Sequence, residues 1–388
     1  MSLLVTAGLM LAACGAGSEP VVLDPPDSTP EALSPAPLAP TQTPTPAPAA
    51  TASPAPASVP TGPGEVAVPQ VAETIATGLR SPWGLAFLPD GSALVSERDT
   101  ARIVRIAGGQ VSEVGQVPDV AVGGEGGLLG IAVADTFDAD RYVYAYHTSP
   151  GENRVVRMVY DGAGLGPPET VLDGIPASGI HNGGRLAFGS DGMLYVTTVD
   201  ARDTSLSPRP DSLGGKVLRL TPGGDIPPDN PVPGSPVWSS GHRNVQGLAW
   251  DDQGTLWASE FGADTWDELN IIRPGANYGW PAVEGGGGQA QGFVDPLVQW
   301  PTDQASPSGI AFAQGTVYVA GLRGQRLWAV PVGAGQAGQP QAFFTGDLGR
   351  LRTVAAAPDG SLWLVTSNTD GRGNPRDGDD RILRLTLG

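Results

Sequence analysis

A single cysteine, Cys14, excludes an intramolecular disulfide and any cysteine-built metal cluster from this 388-residue chain. Basic residues are scarce: 22 Lys and Arg stand against 40 Asp and Glu, a net charge of -18. That balance excludes the clustered cations that a nucleic-acid-binding face requires, and it favours solubility. Charged residues make up only 16% of the chain and aromatics 6%. What is plentiful is glycine, 56 residues, and proline, 39, which favours many tight turns joining short strands over long helices. The length admits one large domain or two ordinary ones, and all-β architectures often use it as a single unit.

Residues 1–13 form a short apolar segment that ends in Leu11-Ala12-Ala13-Cys14-Gly15. It resembles a bacterial lipoprotein signal, in which cleavage before the cysteine leaves a lipidated N-terminus that holds the protein outside the inner membrane. The resemblance implies an extracytoplasmic lipoprotein, periplasmic or at the cell surface, attached to the membrane through Cys14. Residues 14–69 are mostly Pro, Ala, Thr and Ser, with almost nothing large to bury. Such a segment cannot offset its ordering entropy and is expected to be a disordered, partly polyproline linker. A folded domain is expected over residues 70–388.

From Val71 onward the sequence repeats itself. The marker is an aliphatic-Ala-hydrophobic triplet, followed in most copies by a glycine-containing turn and a second apolar strand. It occurs at Leu85-Ala86-Phe87, Ile131-Ala132-Val133, Leu186-Ala187-Phe188, Leu248-Ala249-Trp250, Ile310-Ala311-Phe312 and Val354-Ala355-Ala356. Third aliphatic strands follow at 103–106, 155–159, 217–220, 327–330 and 382–385, most of them with a basic residue among the aliphatics. Six copies spaced roughly 45 to 60 residues apart match the blade period of a β-propeller. The Asp-Gly pairs supply the positive φ that tight hairpins need. The expected fold is therefore all-β, a six-bladed β-propeller of four-stranded antiparallel blades whose first strands line a central axis.

Residues of equal phase in the repeat should ring one end of that axis. Counting back from the marker alanines, His181 lies six before Ala187, Arg243 and Asn244 six and five before Ala249, and Arg350 and Arg352 five and three before Ala355. Glu125 lies seven before Ala132 and Arg80 six before Ala86. A ring of arginines with one histidine and one carboxylate suits a polyanionic ligand, because guanidinium forks pair with carboxylates. The histidine can then serve as general base. Taken singly, an arginine is usually solvated and a lone histidine usually structural; the shared phase is what points to a site.

At Gly124–Gly130, His181–Leu186, Gly215–Leu220, Ile226–Pro231, Gly241–Leu248, Asp267–Asn270 and Asn277–Trp280 the chain resembles the soluble PQQ-dependent glucose/sorbosone dehydrogenase family, which includes the bacterial aldose sugar dehydrogenases. The matching stretches stand in family order and span the propeller. The resemblance implies PQQ over the axis, oxidation of an aldose sugar at C1 to a lactone, and electrons passed to an external acceptor. It places His181 on the catalytic base, Arg243 and Asn244 on PQQ-contacting positions with the arginine beside the reactive carbonyls, and Arg350 and Arg352 on the arginines that hold PQQ carboxylates. Glu125 stands where a glutamine is usual near the cofactor, and Arg323 where the glucose enzymes have a lysine. The resemblance also implies Ca²⁺ in two places. One ion sits on PQQ, held partly by backbone carbonyls within Glu260–Asp264; the other sits at Glu268 with the Tyr278 carbonyl, an all-oxygen set suited to a hard cation.

The chain departs from the family pattern at several of these positions. Ile180 precedes the base where the glucose enzymes place an aspartate that orients it. Phe261 replaces a polar residue near the cofactor metal, and Ala201 a glutamine beside PQQ. Glu125 adds negative charge near an anionic ligand, which calls for compensation by calcium or Arg80. His147 and His242 read as structural. Two other functions compete: a propeller that binds a carbohydrate or protein partner without redox chemistry, which Ile180 permits, and a calcium-dependent lactonase, which the arginine-rich axis disfavours.

Overall fold

Repeats of this length make sheets with two apolar faces and nothing of their own to cover them, so neighbouring repeats must bury each other. In the computed structural model, which describes residues 62–388, six antiparallel sheets do so. Blade 1 comprises Pro82–Phe87, Ala93–Glu97, Arg102–Ala107 and Gln110–Gln116, and blade 2 Leu128–Val133, Tyr142–Ser149, Glu152–Val159 and Glu169–Pro176. Blade 3 comprises Leu186–Phe188, Leu194–Thr197, Lys216–Leu220 and Val237–Ser240, and blade 4 Val245–Trp250, Leu256–Glu260, Trp266–Ile271 and Val298–Pro301. Blade 5 is built from Pro307–Ala313, Thr316–Gly321 and Arg326–Gly333, edged by Gln336–Ala337 and Gln341–Phe343. Blade 6 takes Leu351–Ala356, Leu362–Thr366 and Ile382–Leu387, and its outermost strand is Pro69–Ala76 from the other end of the domain. The expected six-bladed propeller is what forms. Helix is confined, among the described residues, to Phe137–Asp140 and two short 3-10 turns.

The signal segment and most of the expected linker lie outside the described residues. The last part of the span expected as linker packs on the propeller: Val66 joins the apolar cluster of blades 5 and 6, and the Tyr318 hydroxyl donates to the Ala67 carbonyl. Residues 66 and 67 thus pack on the domain expected to begin at residue 70.

Each apolar cluster sits between two blades rather than inside one. Tyr144 and Tyr146 of blade 2 pack on Leu186, Leu194 and Val196 of blade 3, and Trp257 and Leu269 of blade 4 on Ile310 and Val317 of blade 5. First strands of successive blades lie side by side around the whole ring, the last against the first. Glycine two residues before the marker alanine makes that approach possible: a Cβ on Gly130 would lie 2.0 Å from the Gly184 carbonyl oxygen, and one on Gly247 2.4 Å from that of Ser308. Blades 3 and 6 carry Arg185 and Thr353 at this phase, and the two meet across the axis, Arg185 Nη2 donating to Thr353 Oγ1 at 3.2 Å.

The basic residue of the third strand also has a reason. In blades 1, 3 and 6 it clasps the aspartate of the first hairpin, Arg105 on Asp90 at 2.6 Å, Arg219 on Asp191 at 3.0 Å and Arg384 on Asp359 at 2.7 Å. Arg219 is the most buried of these, bonding also to Asp229 and Asn230 and lying over the Trp238 ring. Replacing Arg219 by Met leaves Asn230 Oδ1 without its donor and the Asp191 carboxylate without its cation. A loss of about 2–4 kcal/mol is expected, measured as a lower urea midpoint, whereas Arg384→Met, at an exposed clasp, should move the midpoint far less.

Candidate active site

In an up-and-down blade the loop entering the first strand and the loop between the second and third strands open at the same end. Side chains from both sets of loops converge on the axis there. They line a cavity of about 330 Å³ that contains His181, Glu125, Arg243, Asn244, Arg323 and Arg350. All six were expected at the site. Ile180 and Phe261, two of the departures from the family pattern, line it as well.

His181 holds the left-handed φ of 60°, a conformation costly for a side chain with a Cβ and often kept where function needs it. Its N–H is anchored on Glu125 Oε2 at 2.9 Å. Both ring nitrogens are engaged: Nδ1 lies 2.9 Å from Asp200 Oδ1 and Nε2 2.9 Å from Arg243 Nη2. A guanidinium can only donate, so Nε2 carries the lone pair and Nδ1 the proton that bonds Asp200. Asp200 is buried; its second oxygen accepts Trp280 Nε1 at 3.0 Å, and Oδ1 also accepts the Arg202 N–H at 2.9 Å. Burial works to raise Asp200, but the bonds from His181, Arg202 and Trp280 hold it below the ordinary carboxylate range.

The carboxylate that Ile180 cannot supply therefore comes from Asp200. It sits in the loop between the second and third strands of blade 3, where left-handed φ angles at Ala201 and Arg202 turn the chain back toward the axis. Counting back from marker alanines cannot find it, because it follows a second strand. A scan of polar residues just after each second strand would have exposed Asp200, Arg323, Asp370 and Arg372.

Arg243 is set by its neighbour. His242 is buried and structural, as expected: Nδ1 bonds Glu260 Oε2 and Nε2 bonds Ser239 Oγ, each at 2.8 Å, and the ring stacks on Tyr278. Glu260 accepts the Arg243 N–H with its other oxygen. The Arg243 guanidinium then donates to the carbonyls of Phe261 and Gly262 and lies over the Trp280 ring. His147 is also buried away from the cavity, bonded to the Thr148 carbonyl, and burial pushes it below its ordinary value.

The remaining expected residues divide. Arg350 is held by Asp370 at 2.9 Å. Arg352 lies beneath the cavity, beside Arg185 and the Trp83 ring, and bonds Gln246 Oε1 at 2.9 Å. Burial pushes both Arg185 and Arg352 down to about 9, which leaves them cationic at neutral pH. Arg352 Nε is buried with no hydrogen-bond partner, and Arg323 makes no ion pair among the described residues. These free donors suit an arriving anion. Arg80 is exposed and does not line the cavity; the cation that meets Glu125 is Arg372, at 2.7 Å. Asp267, on the cavity wall, is pushed up to about 7 by burial against the pull of the Ser306 and Gly262 N–H groups.

Several of the donors expected to hold calcium are otherwise engaged. The Phe261 and Gly262 carbonyls face the Arg243 guanidinium. Glu268 lies outside the cavity, its two oxygens accepting the Gly285 N–H at 2.8 Å and the Asn270 amide at 2.9 Å, while burial and the Glu260 carboxylate opposite push it upward. The Tyr278 carbonyl accepts no hydrogen bond among the described residues; it is the side chain of Tyr278 that is engaged, its hydroxyl donating to the Ile271 carbonyl and its ring stacked on His242. With Glu268 and the Phe261 and Gly262 carbonyls so engaged, no step below uses the ion.

Lys216 ties the two halves of the site together. Its buried ammonium donates to the carbonyls of Leu206 and Ser207 at 2.8 Å and of Gly214 at 2.6 Å. These belong to the loop that begins at Asp200. Ser207 in turn receives the Gly241 N–H and donates its hydroxyl to the His242 carbonyl, next to Arg243.

Residues 79–383 match the profile of a family described as glucose / sorbosone dehydrogenase. The solved structure of a PQQ-bound aldose sugar dehydrogenase from Streptomyces coelicolor is 59% identical, with a TM-score of 0.82 over 84% of this chain and 100% of that one. Aldose sugar dehydrogenase YliI of Escherichia coli (strain K12) is 29% identical over 77% of this chain and 90% of its own length. Quinoprotein glucose dehydrogenase B of Acinetobacter calcoaceticus is 34% identical over 55% of this chain and 52% of its own.

Lys216→Met removes a buried ammonium that three carbonyls share and leaves that of Gly214 without a donor, while those of Leu206 and Ser207 keep the Arg209 and Gly241 N–H groups, so a destabilisation of about 1–3 kcal/mol is expected. Calorimetry should show a lower thermal midpoint, and trypsin should cut after Arg202 in the variant well before it cuts the wild-type loop.

Proposed function

This chain belongs to the glucose/sorbosone dehydrogenase family, and from that premise we propose that it oxidises aldose sugars at C1 to lactones, with PQQ as its quinone and His181 as general base. It is an oxidoreductase. The observation that carries the residue assignment is the linked chain Trp280, Asp200, His181, Arg243, which leaves the basic nitrogen of His181 facing the cavity.

When bound, PQQ supplies a two-electron acceptor that takes hydride from C1 of the sugar and is reoxidised by an external acceptor. Among the chain's own groups, Arg323, Arg350 and, from beneath, Arg352 are placed to hold its carboxylates, with Asn244 beside them on the wall. His181 Nε2 takes the proton of the anomeric hydroxyl as the C1 hydrogen departs with its electron pair, which closes the C1 carbonyl of the lactone. Arg243 now covers that lone pair and has to yield the place to the sugar hydroxyl. Asp200 fixes the tautomer that makes Nε2 the base and stabilises the imidazolium once the proton has arrived. The non-redox alternative drew its support from the missing carboxylate at Ile180; with Asp200 in that role, the support passes to the redox reading.

Purified protein given PQQ, mixed aldoses and an electron-accepting dye is expected to reduce the dye, and His181→Ala to abolish the reduction while still binding PQQ. Asp200→Asn should lower kcat about a hundredfold or more, with KM little changed. Failure of the wild-type protein to bind PQQ sinks the reading.

The same reading places the enzyme outside the cytoplasm, tethered through a lipidated Cys14, a residue outside those described. Cys14→Ser is expected to move the protein from the membrane to the soluble fraction. Unchanged partitioning rules the anchor out.

A further inference from the structure

The loop spanning residues 367–381, between the second and third strands of blade 6, reaches across the cavity mouth toward blade 2. Asp370 in this loop holds Arg350, its carbonyl accepts Arg98 Nη2 at 3.2 Å, and its Oδ1 accepts the Arg372 N–H at 2.9 Å. Arg372, fixed there by its backbone, pairs with Glu125 at 2.7 Å. The other Glu125 oxygen carries the His181 N–H. One carboxylate is thus shared between the backbone of the base and a guanidinium from the far side of the mouth.

A glutamate here presents a physical problem. The cavity takes an anion with several carboxylates, on the reading proposed above, and a like charge on its wall opposes binding. Burial works to raise Glu125, yet the His181 N–H and Arg372 hold it below its ordinary range, so the charge is present at neutral pH. The Arg372 side chain is 57% exposed and that of Glu125 22%; in water such a pair contributes little. A ligand that displaces water from the mouth changes this, because both the repulsion from Glu125 and the attraction to Arg372 strengthen as the local dielectric falls.

We propose that Arg372 is a cofactor-site residue: it cancels the charge of Glu125, so that an anionic quinone can bind beside a carboxylate retained to anchor the backbone of His181. This rests on the function proposed above. Arg372 supplies the compensation that was expected from Arg80 or calcium.

The test is a double-variant cycle read by PQQ affinity, through quenching of tryptophan fluorescence, with no turnover involved. Arg372→Ala is expected to weaken binding about tenfold, by more at low salt than at high. Arg372→Lys keeps the charge and should stay close to wild type. Glu125→Gln keeps an acceptor for the His181 N–H and removes the charge, so it should bind PQQ at least as tightly as wild type. The Arg372→Ala/Glu125→Gln variant should recover most of the lost affinity, the coupling between the two sites being the signature of charge cancellation. An unchanged Kd in Arg372→Ala overturns the proposal, and so does a double variant as weak as Arg372→Ala. Thermal midpoints of the ligand-free variants, expected to lie close to wild type, separate these results from misfolding. A wild-type protein that binds no PQQ fails the proposed function itself, whereas wild-type binding with a flat cycle fails only the role of Arg372.

Discussion

Every sheet in this molecule is covered on its two faces by neighbouring sheets, so the ring has to close before any blade is buried on both sides. Closure is built into the chain at two levels. Pro69–Ala76 pairs with Ile382–Leu387 and completes blade 6 from the far end of the domain. Near the axis, glycines such as Gly130 and Gly247 let first strands approach to distances that no Cβ allows. The apolar residues needed for folding are thereby committed to the spaces between blades, and the axis is left to polar groups.

That division explains the electrostatics. Arg185 and Arg352 are buried together beneath the cavity, where two like charges should repel, but backbone and side-chain acceptors from blade 4 and the face of Trp83 hold them. Above them Arg350 and Arg372 are brought to the mouth with carboxylate partners, while Arg323 makes no ion pair among the described residues. The cavity is cationic with its repulsions partly cancelled in advance. It suits a flat polyanion, and it surrounds a histidine whose proton is already on Nδ1, against Asp200, with the lone pair on Nε2.

Much of this was legible in the repeat. The marker alanines give the blade count, and the phase counted back from them finds His181, Arg243, Asn244, Glu125 and Arg350, because the entry to each first strand lies at a constant distance from the axis. The same phase misplaces Arg80, which turns outward, and puts Arg352 with the cavity lining although it lies a layer deeper. Asp200, Arg372 and Asp370 escaped the count for a different reason. They belong to loops between second and third strands, which range from residues 150–151 in blade 2 to 198–215 in blade 3. Loops so unequal keep no constant spacing to the marker alanines, so only a scan anchored on the ends of the second strands reaches these residues.

The sequence by itself determined the periodicity, and with it the all-β propeller, the end of the axis where polar residues gather, and the histidine that stands among them. Those properties depend on local spacing, which the chain writes in order. Only the tertiary structure decided who partners whom: that Asp200 rather than residue 180 orients His181, that Arg372 rather than Arg80 answers Glu125, and that Arg243 occupies the carbonyls expected to hold calcium. Asp200 meets His181, and Arg243 the Phe261 and Gly262 carbonyls, between two loops of one blade, while Arg372 reaches Glu125 from another blade, and no spacing from the marker alanines records which loops meet.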